Sequence, residues 1–162
     1  MCGRMSQPPV PGDARVTEVA PAIRETLALL AEDARIQHVE MTVDIQPENL
    51  TVLADDAELR MLTLNLAQNA FHAMPEGGCL KVIARITGGV GELVFQDNGV
   101  GVAAADLPLI FMPFFSRRAD GKRGSGLGLA ICKAMVERFG GSIHADSQES
   151  RGSTITIQLP MR

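Results

Sequence analysis

The spacing of hydrophobic and polar positions predicts helices that alternate with pairs of strands. From Val39 to Ile45, apolar residues alternate with polar ones, which is typical of a strand with one buried face. Upstream, apolar residues recur every three or four positions between Val19 and Ala34, which is the spacing of an amphipathic helix. We expect this first helix to begin after Thr17, because threonine is a favourable N-cap residue.

The rest of the chain repeats this alternation. A second helix is predicted to open at Asp55, because Glu58 follows three residues later and the pair resembles a capping box. A third helix is expected from about Leu127 to Phe139, where two glycines end it. Further strands are predicted at TVLAD, at CLKVIARIT and ELVFQD as a hairpin, and at SIHADS and STITIQL.

This order of elements predicts an α/β fold with one domain. Adjacent strand pairs separated by helices favour a two-layer sandwich, in which a mixed sheet of about five or more strands is covered on one face by about three helices. We expect residues 16–162 to form this domain, and the proline-rich residues 1–15 to be a linker or the residual tail of a missing segment. Residues 99–124 are expected to hold a short helix and a long mobile loop.

Composition and charge exclude several classes of function. The net charge of −4 argues against a general nucleic-acid binder, whose affinity would depend on a basic surface. No apolar run approaches the ~20 residues that span a bilayer, so we expect no direct membrane contact. The three cysteines are scattered without a CxxC pair, which predicts neither a disulfide framework nor a zinc site and favours a cytoplasmic location.

The stretch GKRGSGLGLA, residues 121–130, introduces a candidate for chemistry. Glycine lets the backbone approach a ligand closely, and a helix N-terminus presents unpaired N–H groups to an anion, so phosphate is the expected ligand. The alternative is a mobile surface loop before an ordinary helix, with its charges forming a solvated face. The basic residues at this stretch are Arg117, Arg118, Lys122 and Arg123.

Two further motifs have the same double interpretation. Asn65 and Asn69 in NLAQNA lie four residues apart on one helix face, where each amide either bonds within the protein or faces a ligand such as Mg²⁺. Asp97 in DNGVG ends a strand, and its carboxylate can accept a hydrogen bond from an exocyclic amine. Taken alone, Asp-Asn-Gly is also a common turn sequence.

Together these motifs resemble a known family. NLAQNA, DNGVG, IFMPFF and GSGLGL, in this order, resemble the N, G1, F and G2 boxes of the ATP-binding catalytic domain of bacterial sensor histidine kinases, within the GHKL superfamily. The resemblance covers the chain from about Val16 to the C-terminus. It implies a Bergerat-type sandwich, which agrees with the element order predicted above.

The resemblance implies a role for each matching residue around bound ATP and Mg²⁺. Asn69 would ligate the metal, with Asn65 one turn earlier on the phosphate side. Asp97 would take the adenine amino group, and Gly99 and Gly101 would make room for the ring. The residues of the nucleotide lid and of the weaker last box would be Arg117, Arg118, Lys122, Arg123, Gly124, Ser125, Gly126, Leu127, Gly128 and Thr154.

Two positions depart from the family pattern, and a third distinguishes the chain from hydrolysing relatives. His72 stands where many members have a lysine or arginine, so it is interpreted either as a pH-dependent phosphate contact or as a polar surface residue. Met112 stands where an acidic residue is common, between phenylalanines that we interpret as core or lid anchors. Asn65 stands where hydrolysing relatives have a glutamate, and a neutral amide cannot take a proton from water.

The function implied by the resemblance is one half of a phosphotransfer reaction. We expect the chain to bind Mg-ATP and to present the γ-phosphate to a histidine on a separate dimerisation and phosphoacceptor domain, and thereby to serve a response regulator. None of the three histidines here has the acceptor context, so no catalytic residue is assigned within the chain, and the isolated domain is expected to be monomeric. The alternative is a nucleotide-binding interaction module of the same fold without phosphotransfer.

Overall fold

The computed structural model describes residues 16–113, 115 and 128–161, and these form an α/β architecture. The sequence-predicted residues Phe114, Arg117, Arg118, Lys122, Arg123, Gly124, Ser125, Gly126 and Leu127 lie outside the described residues. In chain order the elements are β1 (Val16–Glu18), α1 (Val19–Leu29), α2 (Ala31–Gln37), β2 (Val39–Ile45), β3 (Thr51–Leu53), α3 (Asp56–Ala73), β4 (Gly78–Thr87), β5 (Val90–Asp97), a 3₁₀ turn (Leu107–Leu109), α4 (Gly128–Arg138), β6 (Ser142–Gln148) and β7 (Gly152–Pro160).

Five of the strands form one mixed sheet in the order β2-β4-β5-β7-β6. β2 runs parallel to β4, and every other neighbouring pair is antiparallel. The predicted two-layer α/β class is therefore confirmed. The short strand predicted at TVLAD is present as β3, but it pairs with β1 in a separate two-stranded ribbon.

The core lies between one face of the sheet and the helices. Strand alternation sends Val82, Leu93 and Ile157 to the helical side, and all three are fully buried. α3 meets them with Leu62 and Leu66, and each such buried side chain contributes about 1.5–3 kcal/mol through the hydrophobic effect. The neighbouring face of α3, which carries Asn65 and Asn69, is less buried than this core face.

The N-terminal helical region differs from the sequence expectation. Thr17 is not an N-cap, because residues 16–18 pair with β3 and the Thr17 hydroxyl donates to the Ala54 carbonyl at 2.6 Å. The single predicted helix is also two helices, which meet at Leu30. A three-residue strand is too short to show a periodic pattern, and its partner lies far along the chain. The sequence pattern therefore could not predict β1.

Both ends of α3 are fixed by hydrogen bonds. The Asp55 carboxylate accepts the Glu58 N–H at 3.1 Å, which confirms the predicted N-cap. At the other end, the Gln37 amide donates to the carbonyls of Phe71 at 2.6 Å and Met74 at 2.8 Å. Carbonyls at a helix C-terminus otherwise lack partners, so Gln37 holds the last turn of α3 in place.

None of the helices in the described parts of the chain combines the length and the apolar character needed to cross a membrane.

Candidate functional site

A cavity of about 440 Å³ opens beside the face of α3 that carries Asn65 and Asn69. Its walls come from α3, the loop after β5, the start of α4 and the facing ends of β6 and β7. It brings together residues that are up to about ninety positions apart in the chain, from Asn65 to Ile155. Of the residues predicted from the sequence, those that line it are Asn65, Asn69, His72, Asp97, Gly101 and Gly128.

Two predicted residues that the structure describes do not line this cavity. Thr154 lies on β7 between Ser153 and Ile155, and these two neighbours line the cavity instead. Because successive side chains of a strand point to opposite faces, Thr154 points to the other face of the sheet. Gly99 is the second, and it packs against the end of α3.

α3 contributes two amides to the cavity. Asn65 and Asn69 are one turn apart, on a face of the helix next to the one that carries the buried Leu62. The Asn65 amide donates a hydrogen bond to the thiol of Cys132 on α4, which is fully buried. The amide has two N–H donors, so its second N–H and its carbonyl oxygen remain for a ligand.

Cys132 has no nucleophilic role at neutral pH. Burial raises the pKa of its thiol to about 12, and the hydrogen bond from Asn65 lowers it only in part. A thiol with this pKa stays protonated and unreactive. Cys132 is therefore a small, buried side chain whose sulfur accepts a hydrogen bond from Asn65.

Asp97 lies at the end of β5, where backbone N–H groups hold it at the cavity wall. Its Oδ1 accepts the N–H of Gly99 at 2.9 Å and the N–H of Ser153 at 3.3 Å. Burial raises the pKa of this carboxyl, while the two backbone hydrogen bonds lower it and offset part of that effect. Since both bonds use the same oxygen, Oδ2 is the acceptor that Asp97 can offer to a ligand in the cavity.

The glycines after Asp97 are required by the protein itself. A Cβ at Gly99 would collide with the carbonyl oxygen of Ala73, and a Cβ at Gly101 would collide with that of Gln148. Gly101 also has a φ of +73°, which side chains rarely adopt. These contacts wedge the loop between α3 and the β6–β7 turn, and the room for a ring that the resemblance implies at these glycines stays a prediction.

Hydrogen bonds anchor this loop on both sides. Val100 donates its N–H to the Ala73 carbonyl at 2.9 Å and accepts the N–H of Ser150 at 2.6 Å. The Val102 N–H donates to the hydroxyl of Ser147 at 2.7 Å. Sequence reasoning missed Ser147, as it missed Ser153, although the pairing of the two predicted C-terminal strands would have placed these serines directly opposite each other.

The described wall of the cavity is acidic. Besides Asp97, the carboxylates of Asp106, Asp146 and Glu149 line it, and no lysine or arginine does so within the described ranges. His72 is the lining side chain there that can carry a positive charge. A polyanionic ligand therefore needs cations from elsewhere to offset the repulsion.

The donor set restricts which metal this site suits. No group of three or more histidine, cysteine or acidic side chains is arranged for a metal among residues 16–113, 115 and 128–161. The amide oxygens of Asn65 and Asn69 are hard ligands, which suits an ion that keeps waters and shares phosphate oxygens. These residues fit Mg²⁺ bound together with a nucleotide and do not fit zinc.

Comparison with known proteins decides the family. The family model described as "Histidine kinase-, DNA gyrase B-, and HSP90-like ATPase" matches residues 54–162, which include every lining residue named above. The chain belongs to this ATPase family. Among its members it is an ATP-binding catalytic domain of the sensor histidine kinase type, as the relatives below support.

Similar proteins include full-length sensor kinases and isolated catalytic domains. The chain is 37% identical over 140 residues to the sensor histidine kinase ZraS of Klebsiella oxytoca, covering 86% of the chain and 30% of that protein. The catalytic domain of the histidine kinase ThkA has a TM-score of 0.80 at 26% identity, covering 90% of the chain and 94% of that domain. For the mycobacterial sensor histidine kinase MprB the TM-score is 0.79 at 32% identity, covering 91% and 99%. The chain thus spans about a third of the length of curated relatives such as ZraS.

Proposed function

We propose that this domain binds Mg-ATP in the cavity and presents the γ-phosphate to a histidine on a separate dimerisation domain. The observation that carries this proposal is the carboxylate of Asp97, which two backbone N–H groups hold at the cavity wall through one oxygen. Its second oxygen would accept the exocyclic amino group of adenine. A partly buried carboxylate in such a position is an acceptor with little competition from water.

The phosphates would lie at the other end of the cavity, along α3 and the start of α4. Asn65, Asn69 and His72 line that end, and Gly128 is the first residue of α4, whose N-terminal N–H groups favour an anion. Mg²⁺ bound to Asn69 and to phosphate oxygens would neutralise charge on the triphosphate. The cations missing from the acidic wall would come from this ion and from Arg117, Arg118, Lys122 and Arg123 of the sequence.

Presentation of phosphate fits this site better than hydrolysis. A hydrolytic site needs a group that takes a proton from the attacking water. Asn65 cannot do so, because it is a neutral amide without a basic atom. Phosphoryl transfer depends mainly on positioning and electrostatics, so a domain that holds the nucleotide can leave the acceptor to another domain.

The partners follow from the same proposal. A dimerisation and phosphoacceptor domain of the same kinase would supply the histidine, and a response regulator would then receive the phosphoryl group. One solved structure of similar fold is described as the histidine kinase ThkA in complex with the response regulator protein TrrA, at a TM-score of 0.76. The domain would thus act in two-component signalling.

A reconstituted transfer assay tests this function. The chain is mixed with a dimerisation hairpin that carries an acceptor histidine, and with ATP labelled at the γ-phosphate, in the presence and absence of Mg²⁺. We expect Mg²⁺-dependent label on the hairpin from the parent chain and from an Asp44→Asn control, whose carboxylate lies exposed on β2, and little label with Asp97→Asn. Nucleotide binding without any transfer would instead support an interaction module of the same fold.

A further inference from the structure

The hydroxyl of Ser147 lies at the centre of the contacts between the Asp97 loop and the β6–β7 turn. It accepts the Val102 N–H at 2.7 Å, lies 3.0 Å from the Gly152 carbonyl oxygen and lies 3.0 Å from the Ser153 hydroxyl. It is partly buried on β6, directly opposite Ser153 on β7. Ser147 is not itself implied by any of the sequence motifs described above.

The hydrogen-bond directions around Ser147 follow from counting protons. A carbonyl can only accept, so the single proton of the Ser147 hydroxyl goes to Gly152. Its two lone pairs then accept the Val102 N–H and the proton of the Ser153 hydroxyl. The arrangement satisfies Ser147 fully and orients Ser153.

Ser153 links this hydroxyl to the carboxylate. Its backbone N–H donates to Asp97 Oδ1 at 3.3 Å, and the Gly99 N–H donates to the same oxygen at 2.9 Å. The loop from Asp97 to Val102 is thus tied to the β6–β7 strands at its start through the carboxylate and at its end through the Ser147 hydroxyl. Loss of that hydroxyl would leave the Val102 N–H without its partner and Ser153 free to rotate.

We propose that Ser147 is a positioning residue for nucleotide recognition, which fixes the loop so that Asp97 Oδ2 meets the exocyclic amine of the base. This inference rests on the proposed function, since it assigns a further residue to the same site. Ser147 itself lines the cavity, but it does not need to touch the nucleotide for this role. Its effect is confined to the amine contact, so it should change the preference for an amine-bearing base more than the affinity for phosphates.

The test compares Ser147→Val with Ser147→Thr. Valine and threonine have nearly the same shape and both suit a strand, but only threonine keeps the hydroxyl. The affinities of Mg-ADP and of Mg-IDP, whose base has a carbonyl in place of the amine, are measured by calorimetry for each variant. Ser142→Ala, at the exposed start of the same strand, is the matched control, and thermal unfolding reports whether each variant folds.

We expect Ser147→Val to lower the ratio of ADP to IDP affinity about tenfold, and Ser147→Thr and Ser142→Ala to keep the ratio of the parent. An unchanged ratio in Ser147→Val would overturn the inference, including the case in which both nucleotides weaken equally, because that pattern marks a merely structural role. A parent chain that binds neither nucleotide would instead overturn the proposed function, and this inference with it.

Discussion

The two ends of the cavity are built in different ways. At the Asp97 end, backbone N–H groups and glycine packing fix the loop before any ligand arrives. At the α3 end, the side chains of Asn65, Asn69 and His72 project from a helix whose position is set by its core and its caps. The Asp97 end is a rigid loop that suits a flat group, while the α3 end presents polar side chains from a stable helix.

The charge of the described wall suits the two parts of a nucleotide differently. The described wall offers carboxylates and amides but no lysine or arginine, so it suits a neutral base that donates hydrogen bonds. A triphosphate at this wall requires added cations. Under the proposed function, the described fold would supply selectivity for the base, whereas binding of the phosphates would depend on Mg²⁺ and on basic residues elsewhere in the sequence.

The largest expected effect comes from Gly101→Ala, which distorts the rigid loop at the Asp97 end of the cavity. We expect the free energy of unfolding to fall by about 3 kcal/mol, because the added methyl collides with the Gln148 backbone and the φ of +73° is strained for alanine. Chemical denaturation measures this change. Gly128→Ala is the matched control, because none of the described atoms lies within 4 Å of its added Cβ and alanine favours a helix. Equal stability of the two variants would contradict the wedged loop.

Asp97→Asn addresses the ligand contact at the same end. It replaces one acceptor oxygen by an amino group and removes the charge, so we expect the affinity for Mg-ADP to fall by about 1.5–3 kcal/mol. Isothermal titration calorimetry measures this loss, with Asp44→Asn as the control for a removed charge on the sheet. A variant that binds as tightly as the parent would place the base elsewhere.

The raised pKa of Asp97 predicts a pH dependence of base recognition. Burial makes the folded protein hold this proton above the ordinary aspartate value of 3.8, so Asp97 contributes less to stability as the pH rises through its folded pKa. Binding has the opposite sign, because a protonated carboxyl is a poorer acceptor for the amine. We therefore expect the preference for Mg-ADP over Mg-IDP to decline on acidification, by up to about tenfold per pH unit below the folded pKa.

The ratio of the two affinities isolates Asp97 in that experiment. His72, Asp106, Asp146 and Glu149 also line the cavity, but the two nucleotides carry the same phosphates, so effects at these residues largely cancel in the ratio. A midpoint at or below 3.8 would contradict the burial of this carboxyl.

The smallest expected effect lies at the other end of the cavity, with His72→Lys. A permanent positive charge on the last turn of α3 should strengthen Mg-ATP binding by about 0.5–1 kcal/mol at low ionic strength, and less in salt. The change should be smaller for Mg-ADP, which carries less negative charge. If Mg-ATP and Mg-ADP gained equally in affinity, residue 72 would not lie near the terminal phosphate.

Much of the fold could be predicted because its signals are local. The strand from Val39 to Ile45, the N-cap at Asp55 and the glycine end of α4 all follow from short patterns, and the structure has each of them. The Thr17 strand could not be predicted, because its partner β3 lies more than thirty residues away. The break at Leu30 was missed because apolar spacing continues across it without glycine or proline.

The residues of the candidate site also divide into those that the sequence could predict and those that it could not. Asn65, Asn69 and Asp97 could be selected because their types and spacing suggest ligands, and the structure places all three around one cavity. Ser147 and Ser153 could not, because a small polar residue in a strand is indistinguishable from one that faces solvent until the strands are paired. The reasons for Gly99 and Gly101 also came only from the structure, since the backbone that they approach lies far along the chain.

The most direct test of base recognition by Asp97 is a calorimetric comparison of Mg-ADP and Mg-IDP binding to the parent chain near neutral pH. If Asp97 Oδ2 accepts a hydrogen bond from the exocyclic amine, Mg-ADP should bind at least about tenfold more tightly, since the carbonyl of Mg-IDP would face a carboxylate. Equal affinities for the two nucleotides would contradict the account, because the rigid Asp97 end of the cavity would then have no part in selecting the base.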